Sequence, residues 1–191
     1  MVCLFDHEEI GSNSAHGAAG SLVPDAVTRV TAALCGEDTA AQQQLRGTNR
    51  HSLLVSADMA HALHPNYSDR HDPALAPAFH GGMVIKHNAN QRYATNAITA
   101  FLFREIGKRA GIPTQEFAVR SDTGCGSTIG PILSTLTGVR CVDVGSPQLS
   151  MHSCREVMCA QDAVLGYKHL KAVFEKFWEV DRELKVDAVP A

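Results

Sequence analysis

Side chains that can bind metal ions or transfer protons recur directly after apolar segments of this sequence. Glu8 and Glu9 stand side by side after the apolar stretch MVCLF, and Gly11 follows them. Adjacent residues on a strand face opposite sides, but at a twisted strand end both carboxylates can reach one cavity. Further candidates of the same kind, each after a predicted strand, are Asp58, His61, Lys86, Asp122, Asp143 and His152. Carboxylates and imidazoles that converge in this way are a ligand set for Zn²⁺, Mn²⁺ or Co²⁺.

Each candidate also has a purely structural interpretation. Glu8 and Glu9 could be a solvated pair, Asp58 could cap a turn, and His152 could be a buried core histidine. Asp122, in SDTGCGST, is best explained as the N-cap of the next helix. The shared site is favoured because the acids and the histidine follow successive strands, and open α/β sheets bind ligands outside the carboxyl ends of their strands.

The predicted elements alternate between strands and helices. Strands are predicted at MVCLF, HSLLVSAD, MVIKH, QEFAVR and VRCVDVGS. Helices are predicted at VPDAVTRVTAAL, TAAQQQL, ATNAITAFLFREIGKRAG and TIGPILSTLTG, and one or two more between residues 152 and 184. Residues 61–82 hold several prolines and histidines and are predicted as a long loop. This alternation predicts an α/β sandwich with a largely parallel central sheet.

Composition excludes several classes of protein. The chain has 191 residues and a formal net charge of −3, with scattered Lys and Arg, so no nucleic-acid interface is expected. It has no apolar stretch of membrane-spanning length and no signal-peptide pattern at its start, so no membrane association is expected. Its six cysteines include no C-x-x-C pair, which is typical of free thiols in a reducing compartment and predicts a cytoplasmic protein.

Five motifs, in order, resemble the aspartyl aminopeptidases, a family of cytosolic metallo-aminopeptidases with two metal ions. They are DHEEIGS, SADMAHALHPNY, VIKHNANQRYATN, DTGCGSTIGP and DVGSPQLSMHSCRE, and the resemblance extends from residue 1 to about residue 180. It implies a three-layer α/β sandwich of the phosphorylase/hydrolase-like metallopeptidase type with a mostly parallel, mixed sheet. It also implies release of N-terminal Asp or Glu from peptides, with two zinc ions, or Mn or Co, in the complete active site.

The resemblance further implies roles for individual residues. Glu9, Asp58 and His152 resemble metal ligands, and Glu8 resembles the general base for the water that the metal activates. Three others resemble substrate-binding residues, together with Glu8: His61, Lys86 and Tyr93. Lys86 would pair with the acidic side chain of the substrate, and a pocket built for that ion pair would discriminate against neutral residues.

The family pattern continues upstream of Met1, so the resemblance implies the C-terminal part of a catalytic domain at 1–180 and a polar tail at 181–191. The family's upstream metal-binding histidine, bridging aspartate and dimerisation insert would then be missing. We therefore expect the isolated chain to be inactive as a peptidase and to expose apolar surface, whereas full-length family members form dodecamers.

Two alternatives remain open. The chain could be a truncated, non-catalytic binding or assembly partner that uses the surface the missing part would cover. It could also be an unrelated hydrolase, with Glu8 and a second acid acting as in glycosidases or with Cys125 and a histidine as nucleophile and base. The last is disfavoured because TGCG has no base nearby in sequence and aromatic residues are only 6% of the chain.

Overall fold

The computed structural model describes residues 1–35, 39–120 and 122–184, and for 39–42 it describes the backbone alone. A 3-10 turn at Glu8–Ile10 precedes helices α1 (Leu22–Cys35) and α2 (Thr39–Arg50). The strands are β1 (Leu53–Ala57), β2 (Ala60–His61), β3 (Met83–His87), β4 (Thr114–Ala118), β5 (Arg140–Gly145), β6 (Pro147–Leu149) and β7 (Val157–Met158). Between them lie a second 3-10 turn at Ser68–Arg70 and helices α3 (Ala97–Arg109), α4 (Ile129–Thr137) and α5 (Ala160–Glu183).

The central sheet has four strands in the order β1-β5-β3-β4. The pairs β1–β5 and β3–β4 are parallel, and β3 and β5 are antiparallel through the pairs Val84–Gly145 and Ile85–Val144. The prediction of a mixed, mostly parallel sheet is therefore confirmed. The reversal also means that β3 and β4 end at the opposite edge from β1 and β5. Lys86, which lies within β3, therefore belongs to a strand that runs antiparallel to the strand leading to Asp58.

Helices cover both faces of this sheet and give it three layers. On one face, Ile85 and Val144 pack with Phe103 of α3 and with partly buried Val173 of α5. On the other face, Leu54 of β1 packs in a cluster from the α1 and α4 layer. The alternation of side chains along each strand sends neighbouring residues into different layers, which places Lys86 on the face opposite Ile85.

A second, smaller sheet orders the connections beside the central one. Its strand order is β2-β6-β7, and β2 and β6 are parallel, with His61 opposite Gln148. Strands β6 and β7 are antiparallel, and residues 150–156 connect them. This sheet therefore carries His61 and, in its β6–β7 connection, His152.

The prediction of a strand at residues 1–5 is wrong. The segment has no regular secondary structure, and its large side chains at Val2 and Leu4 are exposed. A strand needs a neighbour for its backbone hydrogen bonds, and within the described residues neither sheet pairs with this segment. The glutamates that follow lie on a 3-10 turn instead of a twisted strand end.

Helix α3 begins at Ala97, three residues after the start of the predicted segment ATNAITAFLFREIGKRAG. The Asn96 side chain accepts hydrogen bonds from Ile98 N and Thr99 N, both at 3.0 Å. The Thr99 hydroxyl accepts one from Asn96 N at 3.1 Å, which completes a capping box.

Helix α5 is a single helix and continues to Glu183, past the predicted end of the domain at residue 180. Its last turn is held by Arg140, whose guanidinium donates to both Asp181 carboxylate oxygens, at 2.8 and 3.1 Å. Of the predicted tail, residues 185–191 lie outside the described residues.

Helix α5 exposes a row of large apolar side chains, as expected for this chain: Val164, Tyr167, Phe174 and Trp178. Within the described ranges, none of the helices combines the length and the apolar character that crossing a membrane requires.

Candidate active site

The glutamate pair is held by a tight turn with its own hydrogen bonds. Gly11 N donates to Glu8 O at 2.8 Å, and Ser12 N donates to His7 O at 3.0 Å. Gly11 has φ 88°, a conformation that glycine adopts without strain, and His7 has φ 64°. The His7 ring is fixed in turn by Ser14 Oγ, 2.7 Å from Nδ1. Glu8 and Glu9 therefore project from a defined backbone although both side chains are exposed.

His152 reaches this turn from the β6–β7 connection. Its φ is 66°, an uncommon backbone conformation for a residue with a side chain. Its backbone N–H donates to Glu156 Oε1 at 2.5 Å. The ring Nδ1 lies 2.9 Å from Glu9 Oε2 and 3.9 Å from Glu8 Oε2. A carboxylate only accepts hydrogen bonds, so Nδ1 carries the proton in this arrangement.

The three side chains fit a divalent cation. One potential ligand atom from each of Glu8, Glu9 and His152 lies within 4.8 Å of the others, and all three residues are exposed. Two carboxylates and an imidazole are a donor set found for zinc. The strained backbone of His152 is a second sign of a functional position, because such strain persists only where surrounding structure maintains it.

Asp58 lies beside this cluster, across a cavity of about 590 Å³ that it lines together with Glu8. Its Oδ1 accepts a hydrogen bond from Met59 N at 2.7 Å, and its Oδ2 lies 3.6 Å from Lys86 Nζ. Partial burial and then the Asp58 charge raise the pKa of Glu8 above its ordinary value. Glu8 is thus the residue that connects Asp58 with the Glu9–His152 pair.

Lys86 is 3% exposed, so its ammonium lies inside the protein. Burial lowers its pKa, and the charges of Asp58 and Asp143 oppose that shift. The ammonium lies 5.5 Å from the centre of the Tyr93 ring, within the range of a cation–π interaction. Lys86 is therefore not a surface lysine: its ammonium lies between Asp58 of the first cavity and the Tyr93 ring.

A second cavity of about 360 Å³ lies beyond Lys86 and is lined by His61, Tyr93, Phe117 and Cys125, among others. The His61 ring packs edge-on against Phe117, with centroids 6.4 Å apart. Desolvation, and then the nearby Lys86 cation, lowers the pKa of His61. Desolvation, and then the hydrogen bond with Cys125, raises the pKa of Tyr93. Of the predicted substrate-binding residues, His61 and Tyr93 thus line this neighbouring cavity, whereas Glu8 lines the first one.

Asp143 is one of the candidates in the sequence to which the resemblance gives no role, and it positions part of the site. The side chain is fully buried, and its two oxygens accept hydrogen bonds from Thr128 Oγ1 and Ala94 N, each at 2.6 Å. Its backbone N–H donates to Thr95 Oγ1 at 2.9 Å. These bonds hold the segment that carries Tyr93 to β5. The available signal was one acid inside the otherwise apolar strand VRCVDVG.

Asp122 does not cap helix α4. The N-cap residue is Thr128, and the exposed Asp122 carboxylate accepts bonds from Arg120 Nε at 2.9 Å and from a second guanidinium nitrogen at 2.6 Å. The prediction failed because a cationic neighbour two residues away competes for the carboxylate.

The chain is similar to known peptidases over nearly its whole length. Residues 1–174 match the family model of the aminopeptidase I zinc metalloproteases, M18. A probable aspartyl aminopeptidase of Ricinus communis is 54% identical over 187 residues, which are 98% of this chain and 37% of that protein. The aspartyl aminopeptidase of Dictyostelium discoideum is 48% identical over 94% of this chain and 38% of its own length. This chain therefore spans somewhat more than a third of the length of these relatives.

Solved structures give the same result for the fold. A chain in the cryo-EM structure of the Ape4 and Nbr1 complex is 43% identical, with a TM-score of 0.89 over 96% of this chain and 34% of that one. A chain of the S. cerevisiae mApe1 dodecamer is 32% identical, with a TM-score of 0.83 over 94% of this chain and 39% of that one. Sequence, fold and the zinc-type donor set agree, and the chain belongs to the M18 family of zinc metalloproteases.

Proposed function

We propose that this chain supplies much of the active site of a metallo-aminopeptidase that releases N-terminal Asp and Glu from peptides. The observation that supports it most directly is the Glu8–Glu9–His152 cluster, with ligand atoms within 4.8 Å, beside Asp58 on a shared cavity. The names of the relatives support the same activity and the acidic substrates.

In this proposal Glu9, Asp58 and His152 hold the metal, which is zinc, with manganese or cobalt as substitutes and two ions in the complete site. Zinc, when bound, supplies Lewis acidity and makes water a stronger acid. Glu8 would act as the general base for the attacking water, since it borders the cavity and lies 3.9 Å from the His152 ring. The His152 side chain must release its Nδ1 proton, or turn Nε2 inward, before it can act as a ligand.

The substrate's acidic side chain is proposed to bind near Lys86, between His61 and Tyr93. In the metal-free protein the Lys86 ammonium faces Asp58 at 3.6 Å. When Asp58 is engaged as a metal ligand, it no longer compensates this buried cation fully. A carboxylate of the substrate can then replace it, and a neutral side chain would leave the cation without a partner.

We propose that the isolated 191-residue chain does not turn over peptides. A catalytic zinc normally takes three protein ligands, so a two-metal site needs more ligands than the two acids and one imidazole proposed here provide. All three residues of the cluster are also exposed to solvent. The electrostatic interactions that assist catalysis are strong only where water is excluded from the site. Assembly into a dodecamer, as in the S. cerevisiae mApe1 structure, is proposed for the complete protein. A cytoplasmic location is proposed from the six free cysteines.

Zinc titration of the purified chain, by calorimetry at pH 7, tests the metal site. Glu9→Gln and His152→Ala should each weaken zinc binding at least tenfold, as expected for loss of a ligand, and His51→Ala, an exposed histidine outside the site, should leave it unchanged. Equal binding by all four proteins would reject the ligand assignment.

Cleavage of an aspartyl peptide with added Zn²⁺ or Mn²⁺ tests the activity. We expect none from the chain alone, and turnover that disappears in Glu8→Gln would show that the isolated chain is a complete enzyme. In the full-length protein, Lys86→Ala should reduce turnover of N-terminal Asp and Glu peptides far more than it changes metal content. An equal loss on neutral peptides would make Lys86 a structural residue.

A further inference from the structure

A cysteine and a histidine meet at a place remote in sequence from the glutamate turn. Cys159 Sγ lies 3.2 Å from His80 Nδ1 and 3.9 Å from Nε2. Cys159 directly precedes helix α5, and His80 lies in the loop before β3. The thiol is partly buried and the imidazole is exposed, so small reagents can reach the sulfur.

The imidazole is held in place by its backbone. His80 N donates to Asp162 Oδ2 at 2.8 Å, and Gly82 N donates to Asp162 Oδ1 at 3.0 Å. Asp162 is fully buried in the first turn of α5. His80 has φ 68°, which these two bonds help to maintain. The loop and the start of α5 are therefore joined, and these hydrogen bonds keep the backbone of His80 next to Cys159.

The neighbouring glutamine determines which way the hydrogen bond runs. Gln161 Oε1 also lies 3.2 Å from His80 Nδ1. An amide oxygen only accepts hydrogen bonds, so the tautomer that satisfies Gln161 has its proton on Nδ1 and places Cys159 Sγ on the accepting side. A sulfur that accepts an N–H bond is stabilised as the thiolate, which is the nucleophilic form of cysteine.

We propose that Cys159 is a reactive thiol of this protein and the preferred site of its oxidation by hydroperoxides. The thiolate attacks one oxygen of the peroxide, so that an S–O bond forms and the O–O bond breaks. The sulfur is oxidised to a sulfenic acid, and the peroxide is reduced to water or an alcohol after the leaving oxygen takes a proton from solvent. The proposal rests on the His80–Cys159 geometry and holds whether or not the glutamate cluster binds zinc.

Two exposed cysteines of the same chain, Cys35 and Cys154, serve as internal references. The chain is treated with limiting hydrogen peroxide at pH 7 in the presence of dimedone, and the labelled peptides are quantified by mass spectrometry. Cys159 should be labelled about tenfold faster than either reference, because its sulfur lies 3.2 Å from an imidazole nitrogen that can stabilise the attacking sulfur.

His80→Asn tests the role of the imidazole, because asparagine tolerates the backbone conformation of residue 80. The variant should lower the labelling of Cys159 to the level of Cys154, and His51→Asn, an exposed histidine elsewhere, should not. Equal labelling of the three cysteines in the wild-type chain would overturn the proposal, and so would rapid labelling of Cys159 that survives His80→Asn.

The wild-type chain in concentrated urea gives a test that does not depend on a variant folding correctly. Unfolding separates His80 from Cys159, which are far apart in sequence, so the labelling rates of the three cysteines should become equal within about twofold. If Cys159 remained the fastest in the unfolded chain, its local sequence and not the folded pair would explain the reactivity, and the proposal would be wrong.

Discussion

Replacement of Lys86 by methionine should increase the zinc affinity of the chain, because Lys86 competes with the metal ion for Asp58. The two charged groups are 3.6 Å apart, and the side chains are 4% and 35% exposed. At an effective dielectric constant of 20, charges at this distance attract each other by about 4–5 kcal/mol. The exposure of Asp58 to water reduces this to roughly 1–2 kcal/mol. A metal ion that takes Asp58 must overcome that attraction and the repulsion of the nearby ammonium.

The expected result is a zinc dissociation constant about tenfold lower for Lys86→Met than for the wild type, since each 1.4 kcal/mol is a factor of ten. Calorimetric titration at pH 7 measures it, and circular dichroism checks that the variant is folded. Lys168→Met, which removes an exposed cation on α5, is the matched control and should bind zinc as the wild type does. An unchanged or weaker affinity in Lys86→Met would show that Asp58 is not a ligand or that the Lys86–Asp58 pair contributes nothing, and the reasoning would be refuted.

Three predictions concern stability and are measured by urea unfolding. Asp143→Ala should lower the free energy of unfolding by about 3–5 kcal/mol, because it leaves two donors without their buried acceptor. Asp143→Asn should lower it less, because the amide oxygen can still accept one hydrogen bond. Equal losses in the two variants would contradict this. Gly145→Ala should destabilise by several kcal/mol, since its Cβ would lie 1.6 Å from Asp58 O, and Gly47→Ala, with open space around it, should be neutral or stabilising. Burial lowers the pKa of His169, so the unfolded chain binds the proton more readily, and the free energy of unfolding should fall as the pH drops below about 6.5. This loss of stability at low pH should be smaller in His169→Gln. An identical pH profile for the two proteins would contradict the assignment.

The boundaries of several elements could be predicted from sequence because local chemistry determines them. MVIKH is an apolar run and forms β3 at those five residues, and the predicted helix TIGPILSTLTG contains α4, Ile129–Thr137. The residues of the glutamate turn and His152 were also found, since acids and imidazoles stand out at the ends of apolar segments. Each of these features depends on residues that are close together in the sequence.

Other features depend on contacts between distant segments and could not be predicted. A strand's sequence does not specify its direction, so the reversal of β3 relative to β5 was not foreseen. The segment 1–5 has strand-forming residues but lacks a paired neighbour among the described strands. The contact between His80 and Cys159 joins residues 79 positions apart and left no local signal.

The way the central sheet is assembled also bears on the order in which this chain folds. Strands β3 and β4 with α3 between them are one contiguous segment, residues 83–118, and their parallel pairing needs only a short loop closure. Pairing β1 with β5 joins Leu53–Ala57 to Arg140–Gly145 across a much longer stretch of chain. Because local contacts form faster than distant ones, we expect the β3–α3–β4 segment to fold first and the Glu9–His152 contact, which spans 143 positions, to form late. A ligand that binds only this late-formed cluster cannot accelerate folding, and its effect would instead be a slower rate of unfolding.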